Sequence, residues 1–182
     1  MHRICIFKKS KCRIRLTPLI QIKRVFIVVK IPDVIKEFIE NQGIFVVGTV
    51  TGNIFPNISP RIFFKVEEDA IYWLDFFKHK TYKNIQVNPQ VTISVFNKED
   101  LEGYQFRGIA SFITDEPTKS EIKESIIKKI LKINSSSKLK KLSEKEVTVV
   151  QFEPKVGYSL NPEKYSDMSI GSDTDITQLF QK

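Results

Sequence analysis

A chain of 182 residues with 41 % hydrophobic residues has enough apolar material for one packed domain and too much for a disordered chain. Its net charge of +8 would ordinarily suggest nucleic acid or an anionic surface, but eight bases and no acid fall within residues 1–27. Removing those eight from the 29 bases leaves 21, matched by 21 acids, so the remainder is formally neutral and nucleic-acid binding is not expected.

Residues 1–27 are expected to be a basic extension carrying Arg3, Lys8, Lys9, Lys11, Arg13, Arg15, Lys23 and Arg24. Two readings stay open: a flexible or loosely docked basic arm, or a start codon assigned upstream of the true one. The segment lacks an unbroken apolar stretch with a small-residue cleavage site, and Val25 to Val29 is too short to cross a bilayer. A cytoplasmic protein with no membrane partner is therefore expected. Cys5 and Cys12 both lie in the extension, and His2 and His79 are the only histidines. Neither a disulfide framework nor a metal site is expected in the domain, which is predicted over residues 28–162.

Within it, Pro32 and Asp33 suit a helix start, and Val34, Ile35, Phe38 and Ile39 recur at helical spacing. Gly43 reads as the stop, giving a helix over 32–42. Residues 44–51 are β-rich, and Thr51-Gly52-Asn53 supplies turn chemistry. Further strands are predicted over 58–66, 70–75, 91–97, 104–114 and 147–158. A helix is predicted over 120–133 with Ile122, Ile126, Ile127, Ile130 and Leu131 on one face. Residues 134–145 read as a polar loop, and 163–182 as a polar tail. Six strands with short connections indicate a mainly-β antiparallel barrel or sandwich. Neither GxGxxG nor GxxxxGKS/T is present, so any nucleotide is held by other means.

The segment from His79 to Pro89 reads as a helix of one to two turns between the third and fourth strands. Its first turn brings together free backbone N–H groups, Lys80 and the Thr81 hydroxyl, which are partners for a phosphate dianion. The competing reading is a connector helix with solvated lysines.

Three neighbouring segments extend the pattern: Asn57-Ile58-Ser59-Pro60-Arg61, Trp73-Leu74-Asp75-Phe76-Phe77 and Tyr104-Gln105-Phe106-Arg107-Gly108. With Lys80-Thr81-Tyr82-Lys83-Asn84 and Asn88-Pro89-Gln90-Val91, their order resembles the FMN-binding split β-barrel superfamily. That group includes the pyridoxamine 5′-phosphate oxidases and small FMN-binding proteins, and the resemblance spans about residues 32–160. It implies a six-stranded antiparallel Greek-key split barrel that binds FMN as a homodimer. It also implies that Lys80 and Thr81 contact the FMN phosphate, with Asn84 bracing the same turn. Asn57, Ser59 and Arg61 would line the ribityl chain and a ring edge. Backbone groups around Asp75 and Phe76 would meet the pyrimidine edge. Gln105 corresponds to a flavin-contacting glutamine of the oxidases, at a different distance from the glycine.

The chain departs from the oxidases in having no arginine after Arg107 and no tryptophan after Trp73, which argues against vitamin B6 oxidation. With His79 alone in the domain, haem degradation is not expected either. The leading expectation is an FMN redox protein, its redox partner and substrate unknown and no residue standing out as a general acid. The alternatives are a deazaflavin-dependent reductase on the same fold, for which Lys78, Lys80 and Lys83 could hold a more anionic tail, and a non-catalytic flavin-binding module.

Overall fold

The computed structural model describes residues 29–50, 55–133 and 136–162. The basic extension, the turn at 51–54 and the polar tail lie outside the described residues.

Helix α1 (Asp33–Gln42) forms where expected. Its N-terminal N–H groups at Ile35 and Lys36 donate to the Pro32 carbonyl. Ile35 and Ile39, four apart, face the core. Gly43 closes the helix at φ 64°, a left-handed conformation that costs glycine little, and donates to the Glu40 carbonyl.

Seven strands follow: β1 (Phe45–Val50), β2 (Pro56–Arg61), β3 (Phe64–Val66), β4 (Ile71–Asp75), β5 (Gln90–Asn97), β6 (Glu102–Phe112) and β7 (Thr148–Ser159). All their pairings are antiparallel, in the order β2-β1-β5-β6-β7-β4-β3. The expected run over 58–66 is two strands, which is why there are seven and not six. β2 and β3 occupy opposite edges of the sheet although only Ile62 and Phe63 separate them. Two residues span only about 7 Å. The edges must therefore meet, and the sheet curls into a half-barrel. The Phe63 carbonyl at the junction accepts from Leu74 N–H at 2.9 Å.

Strand alternation then sorts the side chains. Phe45, Val47, Phe64, Trp73, Ile93, Phe106, Val150 and Phe152 point into the curl and pack with Ile31, Ile35 and Ile39. Leu74 and Val149 point outward and are covered by α3 (Glu116–Ile133), whose Ile126 is fully buried. This helix starts earlier than its apolar spacing suggested, because Asp115 caps it: its carboxylate accepts from Thr118 N–H at 3.1 Å. The stretch read as a loop contains α4 (Ser137–Ser143), whose Leu139 and Leu142 pack into the same outer core. Between β4 and β5 the chain must cross from one side of the sheet to the other, and α2 (Lys80–Val87) makes that crossing. No helix among the described residues is long and apolar enough to cross a membrane.

Candidate functional site

The crossing sets α2 against β1 and β2 at the open rim of the curl. Thr81, Asn84 and Ile85 face inward; Lys80 is exposed at the first turn. His79 precedes the helix without a side-chain cap, so the first N–H groups are left for other acceptors.

A continuous polar chain runs from this helix along the inner face. Asn84 Nδ2 donates to Thr49 Oγ1 at 3.0 Å. Asn57 Nδ2 donates to Thr49 Oγ1 at 3.3 Å and to Thr81 Oγ1 at 3.1 Å. The Thr81 and Ser59 hydroxyls share a hydrogen bond of 2.8 Å. Arg61 Nη1 donates to Ser59 Oγ at 3.0 Å and to the Pro60 carbonyl at 2.8 Å. Arg61 Nη2 meets Asp75 Oδ2 at 3.3 Å, and Asp75 Oδ1 accepts from Phe77 N–H at 3.2 Å. The Arg61 and Asp75 side chains are only 13 % and 9 % exposed. Burial lowers the Arg61 pKa from its ordinary value, and the neighbouring Asp75 charge works against that shift.

Six of the nine residues singled out in the sequence therefore form one hydrogen-bonded group: Asn57, Ser59, Arg61, Asp75, Thr81 and Asn84. The other three stand apart. Lys80 is exposed beside the group. The Phe76 ring packs edge-on against Phe63 at 4.8 Å in the outer core. Gln105 sits opposite Ser94, which sits opposite Val46, whereas Phe106, Ile93 and Val47 are buried inside. Parity thus puts Gln105 on the outer face, away from the polar chain. Thr49, which joins Asn57 to Asn84, was missed. Its signal was a polar residue in the inward series Phe45, Val47, Thr49.

On the outer side, a cleft of about 390 Å³ lies over Gly48, Asn57, Ile58, Gln90, Thr92 and Arg107. This falls in the range of small-molecule sites, roughly 300–1,000 Å³. The cleft meets the polar chain at Thr49 and Asn57 but does not reach Arg61, Asp75 or Lys80. Among the described residues, no three His, Cys, Asp or Glu side chains cluster as metal ligands.

One buried atom tests whether these residues suit a bound group. Arg61 Nε has no hydrogen-bond partner among the described residues. A buried donor left unpaired is costly, so this cation at the rim fits a ligand that brings an acceptor.

A curled antiparallel sheet with a polar rim and a short crossing helix defines a mainly-β half-barrel protein. The family model for pyridoxamine 5′-phosphate oxidase matches residues 31–159, and the chain belongs to that family. An uncharacterized protein of Methanocaldococcus jannaschii is 32 % identical over 88 residues, covering 47 % of this chain and 58 % of that one. The match thus spans little more than half of the relative. Among solved structures, a Clostridium acetobutylicum protein related to general stress protein 26, of the pyridoxinephosphate oxidase family, superposes with a TM-score of 0.59. It is 15 % identical, over 75 % of this chain and 91 % of that one. HutZ, a haem storage protein from Vibrio cholerae, superposes with a TM-score of 0.54 at 20 % identity, over 69 % of this chain and 90 % of that one. At these identities the likeness is one of fold.

Proposed function

We propose that this protein binds flavin mononucleotide between two copies of itself and acts as a redox flavoprotein. The observation that carries this reading is the polar chain from the first turn of α2 to the Arg61–Asp75 pair. It aligns groups suited to a phosphate at one end with a cation and strand-end backbone groups at the other. Lys80 and the uncapped N–H groups of the first α2 turn are the phosphate partners. Because the Thr81 hydroxyl already engages Asn57 and Ser59, its own contribution comes through its N–H. Asn84 braces the helix through Thr49. Asn57, Ser59 and Arg61 line the flavin, and the backbone at Asp75 and Phe76 meets its pyrimidine edge. When bound, the flavin supplies hydride or electron exchange, and the chain supplies position and electrostatics.

The absorption spectrum of the purified protein is the first test: flavin bands support the reading, and a haem spectrum replaces it with the chemistry for which HutZ is named. The decisive test titrates FMN and riboflavin into wild type and Lys80→Ala. Loss of a hydrogen bond to a charged group, worth about 1.5–3 kcal/mol, should weaken FMN about tenfold to a hundredfold. Riboflavin, without the phosphate, should be unaffected. Equal losses for both ligands would remove the α2 turn as the phosphate site.

A further inference from the structure

We infer that Asp75 is a positioning residue that holds Arg61 at the ring end of the site and offsets its charge, so that neither charge alone displaces the reduction potential of the bound flavin. This rests on the flavin reading above.

The geometry separates two jobs within one carboxylate. Oδ1 is occupied by Phe77 N–H, which fixes the carboxylate to the β4–α2 junction. Oδ2 is then aimed at Arg61 Nη2. Nη1 is committed to Ser59 and to the Pro60 carbonyl, so the guanidinium plane is held from three directions. Of the guanidinium nitrogens, Nε is buried without a partner among the described residues. An arginine held this way keeps one orientation, dictated from β4 as much as from its own strand. The two side chains are largely withdrawn from solvent, so each charge acts through weak screening.

Two-electron, one-proton reduction leaves one extra negative charge on a flavin. A lone buried Arg61 would favour that charge strongly, and a lone Asp75 would oppose it. The pair therefore moderates the potential, and its two halves pull in opposite directions.

The test measures the FMN midpoint potential of the full chain by dithionite titration, together with FMN affinity. Asp75→Asn keeps the carbonyl that accepts from Phe77 but removes the charge. It should favour reduced over oxidised FMN about tenfold relative to wild type, which is about +30 mV for a two-electron couple. Asp75→Glu should stay near wild type. Arg61→Gln should shift the potential downward, and the double variant Arg61→Gln/Asp75→Asn should return it toward wild type. If Asp75→Asn does not fold, the comparison of Arg61→Gln with the double variant reads the same effect. An unchanged potential in FMN-loaded Asp75→Asn, or shifts of the same sign in the two single variants, would overturn the inference alone. Failure of the wild type to bind FMN would overturn the flavin reading and this inference with it.

Discussion

Thr49 shows how much one hydroxyl can organise. It is 2 % exposed, in a strand position whose neighbours are Phe45 and Val47, and it accepts from both Asn57 and Asn84. Thr49→Val keeps the shape and removes the acceptor. The buried Asn84 amide would then lack its partner, and stability should fall by about 1–3 kcal/mol in urea unfolding. Thr49→Ser should recover most of it. Tyr104 offers a test by pH. Burial first, and then its hydrogen bond to Glu102, push the phenol up to about 12. A folded-state pKa above the unfolded value of about 10 means that the contribution is intact below pH ~10 and lost as pH rises toward 12. Tyr104→Phe should flatten the difference in melting temperature across that window; an identical slope in both proteins would refute the assignment.

The elements differ in how plainly the sequence announces them. Helix α1 was legible because Pro32, the Ile35–Ile39 spacing and Gly43 all agree. The break between β2 and β3 was not, since Ile62-Phe63 runs straight into Phe64 with no glycine or proline between the strands. Helix α4 hid inside lysines and serines; only Ser136 as a cap and Leu139 and Leu142 three apart betray it. In the site, residue types were legible along each segment, but the pairing of Arg61 with Asp75 depends on curling the sheet. The outward position of Gln105 likewise needs the register of three strands. Gly108 lies beside a register shift between β6 and β7, where a Cβ would collide with the Glu153 carbonyl. At Gly48 a Cβ would sit at ordinary contact distance, 3.6 Å from the Thr92 carbonyl oxygen. Gly108→Ala should therefore cost about 1–3 kcal/mol in denaturant unfolding, while Gly48→Ala should be tolerated.

At the scale of the molecule, the outer face of β1, β2 and β5 leaves Val46, Ile58 and Phe96 exposed, Val46 on the row of Gln105 and Ile58 on the row of Thr92. A second copy would cover these apolar groups. Light scattering at micromolar concentration should give twice the chain mass, with an interface on the order of 1,200–2,000 Å². A monomer would count against the proposed flavin site. Replacing exposed Ile58 by Lys should weaken association if the face is correctly chosen.

The junction at Ile62 and Phe63 also bears on how the chain assembles. The hairpins β1–β2 and β3–β4 are tethered to each other by it, so the residues of the polar chain are neighbours in sequence long before the sheet exists. What is distant is the arch that spans them. β7 must insert between β4 and β6, matching Asp75 with Thr148 on one side and Phe112 with Val150 on the other. Pairings between remote parts of a chain form slowly because loop closure comes before the reward. A nascent chain would thus carry every polar group of the rim well before its last strand emerges, yet have no frame to keep them at bonding distance. Competence to hold a ligand should arrive late in synthesis, with the strand that contributes none of those groups.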